Sequence, residues 1–487
     1  MVAMAARDLL GSSPVKPFWL RGFAAVSASM SKRLVPNPPD LVSWVVREGG
    51  FVHKGLRIAD GEASGLCLMA SSDIEAGSDL ISLPKHIPLS FPSSGSGQKW
   101  DASLFRIAQK VPEELWAMRL GLKLLHERAK VGSFWWPYIS NLPETFNIPI
   151  FFSGEGIKDL QYAPLIHQVN KRCRFLLDFE KQVKSILKDV GPEEHPFGGQ
   201  EVNASSLGWA MSAVSSRAFR LHGEELTDGV HEDMPMLLPL IDMCNHSFHP
   251  NARIIQEKGS NEHDFLIKVV AETQMEQDAP VLLNYGCLSN DLFLLDYGFV
   301  LPKNPYDFVE LKYDGGLLDA ASLAAGIFSA NISSPSPWQQ QILTELKLEG
   351  TGADHKFWFQ VRLGGPEVVD GRLLAALRVL LADNAEDVKQ INQTALQSFS
   401  SDPPLGVSIE ISALRTVLGL CAISLQHFPT MIAEDEKALK NGEKIFPAME
   451  SALRFRMRKK TLIIDTMRDI TRRLNSLSEQ KVCTLII

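Results

Sequence analysis

Residues 281–299 read Val-Leu-Leu-Asn-Tyr-Gly-Cys-Leu-Ser-Asn-Asp-Leu-Phe-Leu-Leu-Asp-Tyr-Gly-Phe. A short apolar run ends on Asn284-Tyr285-Gly286. Ser289-Asn290 then precede a second apolar run, which ends on Asp296-Tyr297-Gly298-Phe299. A tyrosine at a strand end is ordinarily an amphipathic core residue; the doubled Tyr-Gly pair lifts this stretch above that reading. Upstream, residues 239–251 read Pro-Leu-Ile-Asp-Met-Cys-Asn-His-Ser-Phe-His-Pro-Asn. Here an apolar run stops at Asp242, Asn245, His246 and Ser247. Such residues form turns, and Asn and His also donate and accept at a buried ligand.

Working outward, Phe265–Val270 and Pro280–Tyr285 have strand composition. Residues 205–221 read as a helix with Trp209, Ala213 and Ser216 inward. Residues 101–190 read as helical, with Leu115, Met118, Leu122 and Leu125 on one face. Nearer the N-terminus, Asp40 caps a short helix that buries Leu41, Trp44 and Val45 and stops at Gly49-Gly50. Asp79–Pro84 reads as a strand, and residues 92–97 as a flexible loop. Beyond about residue 305 the chain is mostly helical. Leu373, Leu374, Leu377, Leu380 and Leu381 form one apolar stripe, and Leu414, Leu418, Cys421 and Leu425 another. Residues 331–338, 346–355 and 400–406 are loop-like. Residues 450–475 form a basic helix, read as a solvated face.

The 487 residues suffice for two or three domains, with 45% hydrophobic and 22% charged residues as in an ordinary globular protein. A formal net charge of -8 argues against a nucleic-acid partner. The six cysteines form no C-x-x-C pair, which fits a reducing compartment. Asn203, Asn331 and Asn392 open N-x-S/T triplets without a secretory signal and read as chance matches. No uninterrupted apolar run reaches the ~18–20 residues of a membrane span, so no membrane partner is expected. No G-x-G-x-x-G, Walker or G-x-S-x-G motif occurs. Cys244, His246 and His249 lack a second ligand pair, so no metal is expected. Residues 1–39 carry Arg7, Lys16, Arg21, Lys32 and Arg33 against Asp8 alone. They read as an organellar transit peptide, for which the chloroplast is the expected destination, with mitochondrion or cytoplasm as alternatives.

The order of these pieces resembles the SET methyltransferase family, in its Rubisco large-subunit methyltransferase-like branch. Asp242-Met-Cys-Asn-His-Ser247 is similar to that branch's Asp-x-x-Asn-His-Ser segment. Asn284-Tyr-Gly, Ser289-Asn290 and Asp296-Tyr-Gly-Phe299 are similar to its catalytic-tyrosine stretch. Trp136-Pro-Tyr-Ile, Leu142-Pro143, Trp209-Ala210 and Ser216-Arg-Ala-Phe219 also resemble branch signatures. The resemblance implies an α+β fold of small β-sheets with a pseudoknot, a helical insertion and an all-α C-terminal substrate-binding domain. It divides the chain into a SET domain over 40–300, with the insertion at about 101–205, and a helical domain over 306–487.

It also implies S-adenosyl-L-methionine as cofactor, a protein as substrate and transfer of a methyl group to a lysine amine of a non-histone protein. Tyr285 would be catalytic. Ser64, Gly65, Leu66, Arg217, Asn245 and His246 would hold the cofactor, and Arg217, Asp242 and Tyr297 the substrate. A histidine-directed branch has Trp before this Asp-Met-Cys-Asn-His segment, where the chain has Ile241; this favours lysine, with histidine as the alternative. One departure stands out: Cys67 replaces the second glycine of a Gly-x-Gly. A Cβ there would crowd a ligand or oppose a positive φ, which keeps a non-catalytic SET scaffold as the competing reading.

Overall fold

The computed structural model describes residues 33–61, 65–91, 101–225, 231–258, 265–348, 360–400, 402–441 and 445–486. Residues 1–32, most of the expected transit peptide, and the expected loop 92–97 lie outside the described residues. Among the described residues the strands are β1 (Phe51–Val52), β2 (Leu56–Gly61), β3 (Gly65–Ala70), β4 (Asp79–Pro84), β5 (Leu89–Ser90), β6 (Ala218–Glu225) and β7 (His231–Leu237). They continue with β8 (Asn245–His246), β9 (Ala252–Lys258), β10 (Phe265–Ala271), β11 (Leu282–Leu283), β12 (Val309–Lys312) and β13 (Gln360–Leu363).

These make small sheets: β1-β4-β10-β9, β5-β7-β6, and the pairs β2-β3, β12-β13 and β8-β11. The last pair is parallel, with Leu282 opposite Asn245 and Leu283 opposite His246. Threading depends on a hub at Asn251. Its amide donates to the Pro280 carbonyl at 2.9 Å and accepts from the Leu282 N–H at 2.8 Å. Val281 N–H reaches the Leu68 carbonyl of β3 at 2.9 Å, so three distant stretches converge. The expected strand at 280–285 thus shrinks to two residues. The chain there is committed to both neighbours and must leave the pairing to deliver Tyr285.

The helix Leu41–Arg47 begins at Asp40, whose carboxylate accepts from Val42 and Ser43 N–H, and it buries Leu41, Trp44 and Val45. In the insertion, Trp116–Ala129 packs on Ala204–Ser215. Gly121 permits the approach: a Cβ there would sit 3.2 Å from the Ala210 backbone. Asn203, part of an N-x-S triplet, is the N-cap of Ala204–Ser215 in a capping box with Ser206. Asn392 likewise caps Gln393–Gln397.

Two expectations are corrected. The helix expected over 205–221 ends at Ser215, and residues 218–225 form β6 instead. Ser212, Ser215 and Ser216 each bond a carbonyl four residues back, which weakens continuation. Phe219 then pairs with Met236 in β7. Residues 331–338, expected as loop, include the helical turn Ala330–Ser333 and the start of Pro337–Glu345. Pro337 occupies the first turn, where its missing N–H costs nothing.

The C-terminal part packs around Gly371–Leu381 and Val407–Gln426. Val407–Gln426 is long and apolar enough by composition to cross a membrane, yet it buries Glu410 in a bidentate pair with Arg378 at 2.7 and 2.8 Å. The basic helix, Pro447–Ile486, is not simply a solvated face. Arg456 and Lys460 are buried on Asp435, and Lys459 is buried against Asp291 and Asp307. Arg454, Arg468 and Arg472 do face solvent, beside acids of the same helix.

Gly77 and Gly298 share a φ of +83°, but only Gly298 is crowded, its Cβ direction lying 2.7 Å from the Asn147 carbonyl oxygen. Gly77→Ala should cost about 1 kcal/mol, the penalty of the left-handed backbone alone. Gly298→Ala should cost about 2–4 kcal/mol, because overpacking adds to it. Denaturant midpoints of the two variants check this; equal shifts would contradict the close approach.

Candidate active site

Tyr285 follows β11 directly, and its backbone N–H donates to His246 Nδ1 at 3.1 Å. Its hydroxyl donates to the Cys244 carbonyl at 2.5 Å, just ahead of β8. The two polar segments singled out in the sequence are therefore bonded to each other at both ends of one tyrosine. Because Nδ1 accepts, a neutral His246 ring carries its proton on Nε2. Among the described residues Nε2, which is buried, has no partner. Burial lowers the pKa of His246, a backbone contact at Leu283 opposing it, so the neutral ring is favoured.

A cleft of about 450 Å³ opens over the Tyr285 ring, walled by Trp116, Ser215–Arg220, Asp242, Asn284, Leu288, Leu292, Asp296 and Tyr297. Tyr285 and Tyr297 stack at 5.1 Å and 23°, and Phe219 meets Tyr285 edge-on at 6.4 Å. Tyr297 arrives on an unusual element: Phe293–Tyr297 is a single π-helical turn ended by Gly298. Burial pushes both phenols up, Tyr285 the further and Tyr297 to about 12. Both are neutral at physiological pH and act as hydrogen-bonding groups.

Asp242 lies at the bottom of the cleft with its side chain 2% exposed. Leu240 precedes it at a φ of +69°, a backbone a bulky residue seldom adopts, and this turn aims the carboxyl inward. Tyr138 donates to Asp242 Oδ2 at 2.8 Å, and Arg217 Nε approaches the same oxygen at 3.7 Å. Asp242 Oδ1 is buried and has no partner among the described residues. Burial pushes the Asp242 carboxyl up to about 6, against the opposing pull of Arg217 and Tyr138. Asp296 is held by Arg172 at 2.5 Å.

Residues 334–463 match the family model described as Rubisco LSMT substrate-binding. The crystal structure of the SET domain of LSMT bound to lysine and AdoHcy superposes with a TM-score of 0.64, covering 90% of this chain and 92% of that one at 17% identity. Rubisco LSMT bound to AdoMet superposes at 0.61, with the same coverage and identity. The chain has the SET-type fold of Rubisco LSMT. The actin-histidine N-methyltransferases of Canis lupus familiaris and Mus musculus are 25% and 26% identical over 83% of this chain. The chain spans 64% of the length of each of these relatives.

Within this SET-type fold, Arg217, Asp242, Tyr285 and Tyr297 share the cleft. Asn245 and His246 lie behind it, on β8. Gly65 and Leu66 sit at the turn end of the β2-β3 hairpin, opposite Gly61 and Asp60, and are not among the cleft walls. Ser64 lies outside the described residues. Gly65, not residue 67, takes the positive φ, at +70°. Cys67 is buried in β3 opposite Ala59 with ordinary strand geometry, so the conformational objection to a Cβ there does not hold. Ile241 is fully buried and absent from the cleft walls. It can act on an acceptor only through its neighbours. Sequence reasoning quoted Tyr138 in the Trp-Pro-Tyr-Ile segment but gave it no role. Among the described residues no group of three or more His, Cys, Asp or Glu side chains could hold a metal.

The raised Asp242 pKa carries a sign. The carboxyl's contribution to stability is full below its ordinary value of 3.8 and is lost as pH rises through about 6. Asp242→Asn removes this loss. Between pH 4 and 7.5 the variant should gain on wild type by up to about 3 kcal/mol in denaturant unfolding. A pH-independent difference would show that Asp242 titrates normally.

Proposed function

We propose that the chain is an S-adenosylmethionine-dependent methyltransferase acting on a side-chain nitrogen of another protein. The observation that carries this reading is the Tyr285 hydroxyl, held on the Cys244 carbonyl at the base of an aromatic slot. Behind it, His246 Nε2–H is a buried donor that lacks an acceptor among the described residues. That suits a polar ligand better than a closed core, where such a group costs about 1–3 kcal/mol. His246 and Asn245 would hold the cofactor, together with Arg217 and the backbone at Gly65–Leu66. When bound, S-adenosylmethionine supplies a methyl group already activated on a sulfonium.

The chain's own residues do the rest. A free lysine amine is protonated below a pKa of ~10.4. Burial in the slot and the half-buried Arg217 guanidinium both disfavour its charged form, so the proton leaves to water. Since the Tyr285 hydroxyl spends its hydrogen on Cys244, its lone pairs accept from the amine N–H and turn the nitrogen lone pair toward the methyl. The gains are alignment and fixed dipoles. Neutral phenols cannot act as bases, and none is required.

Lysine is the first reading for the acceptor, on the resemblance of the Asp242–Ser247 and Asn284–Phe299 segments to the lysine-directed branch and on Ile241 where the histidine-directed branch has Trp. Histidine is the second, favoured by the relatives, which are named for that residue. The composition of residues 1–39 makes a plastid extract the first substrate pool to examine. Labelling such an extract with tritiated cofactor should tag a protein, and mass spectrometry then assigns lysine or histidine.

Tyr285→Phe should lower labelling by about 10²-fold or more while the chain stays folded, its melting temperature falling by only a few degrees, because it removes one positioning hydroxyl and one buried hydrogen bond. Wild-type turnover by this variant would overturn the assignment. In calorimetry the wild-type chain should bind S-adenosylmethionine, and His246→Ala should weaken binding by about tenfold, the worth of one buried hydrogen bond. If wild type binds none, the non-catalytic scaffold is the correct reading.

A further inference from the structure

Four charged side chains wall the cleft: Arg217, Arg220, Asp242 and Asp296. Three are already committed. Asp242 is bonded to Tyr138 and faces Arg217, and Arg217 also donates to Ser216 Oγ at 2.7 Å. Asp296 is tied to Arg172. Arg220 differs. It projects from β6, is exposed, and lies over the Trp116 ring at 4.9 Å. Among the described residues no carboxylate pairs with it.

We infer that Arg220, set over the Trp116 ring at the rim of the cleft, is a specificity residue that binds a carboxylate side chain flanking the methylated residue of the substrate protein. The inference rests on the methyltransferase reading of the same cleft. The Trp116 ring covers one side of the guanidinium, and N–H groups turned away from it can take a carboxylate through charge-assisted hydrogen bonds. The electrostatics point the same way. With Asp242 set against Arg217 and Asp296 against Arg172, the surplus charge at the rim is that of Arg220. A substrate with Asp or Glu beside the target cancels that surplus. A substrate with Lys or Arg there adds a second like-charge contact and is rejected. Arg220 and Trp116 sit on different elements, β6 and the helix Trp116–Ala129, so the platform exists only in the folded chain.

The test uses the full chain with S-adenosylhomocysteine and short fluorescent peptides centred on lysine or on histidine, each with Glu, Gln or Lys scanned through the flanking positions. Anisotropy should show that wild type prefers Glu over Gln at one flank by about tenfold, the scale of one charge-assisted pair. Arg220→Gln should abolish the preference, and Arg220→Glu should invert it toward the Lys peptide. Trp116→Leu should weaken the preference without inverting it. Equal affinity of wild type for Glu and Gln at every flank overturns the inference, as does an unchanged preference in Arg220→Glu. Labelling of the same peptides with tritiated S-adenosylmethionine judges the underlying reading separately. Tyr285-dependent turnover without a flank preference sinks the Arg220 role and leaves the enzyme standing. A Glu preference without any turnover leaves the Arg220 site standing and sinks the enzyme.

Discussion

Asn245–His246 and Leu282–Leu283 lie side by side as a parallel pair, and the placing of Tyr285 against Cys244 and His246 follows from that contact. Parallel pairing of two residues is weak on its own and closes a long loop, at an entropic cost that grows slowly with loop length. It persists because its neighbours are also bonded. Asn245 N–H reaches Val281, Ser247 N–H reaches Leu283, and the Asn251 amide clamps Pro280 and Leu282. The pairing puts the Cys244 carbonyl where the Tyr285 hydroxyl can find it. A slip of one residue would turn Tyr285 to the other face and dissolve the slot.

Strain gathers around the same point. Leu240 holds a φ of +69° while fully buried, and the turn it makes is sustained by Asp242 N–H on Leu238 and Met243 N–H on Leu240. Such a backbone costs about 1–3 kcal/mol and persists only when its surroundings fix it. Here it delivers a carboxyl into an almost dry site, where Tyr138 and Arg217 only partly offset the burial. The π turn at Phe293–Tyr297 adds a second irregularity, closed by Gly298 against the Asn147 carbonyl. Two unusual backbone segments thus face each other across one aromatic slot, a pattern more economical for placing reactive groups than for stability.

What was legible in the sequence was local. Asp242, Asn245, His246 and Tyr285 stood out because each interrupts an apolar run, and the Asp40 cap and the strand Asp79–Pro84 followed from short-range rules. Partners far apart in the chain were not legible. Tyr138 and Asp242 are 104 positions apart, and nothing in either neighbourhood marks the pair. The end of the helix at Ser215 was missed because residues 216–219 still fit a helical stripe, while β7 offered Phe219 a better partner. The basic stretch at 454–473 read as solvated because charge alone does not reveal Asp435, Asp307 and Asp291 waiting on other elements. At the Gly-x-Gly position only the conformational half of the expectation is answered: the left-handed residue is Gly65, and Cys67 is plain strand.

The buried lysine on the last helix ties the helical domain to the cleft. Lys459 reaches Asp291 and Asp307, and also donates to the Phe308 carbonyl at 2.6 Å. Asp307 in turn accepts from the Asn290 backbone and side chain at 3.1 and 3.0 Å. Asn290 begins the short helix that runs into the π turn carrying Tyr297. Loss of the lysine would leave two carboxylates buried against each other, a defect of the kind that costs about 3–5 kcal/mol. Tyr297 is therefore set from below by residues of the C-terminal helix as well as from behind by β11. Residues 334–463, which match the model described as Rubisco LSMT substrate-binding, thus contribute through Lys459 to the scaffold behind Tyr297, and the cleft is anchored to the helices beyond residue 305.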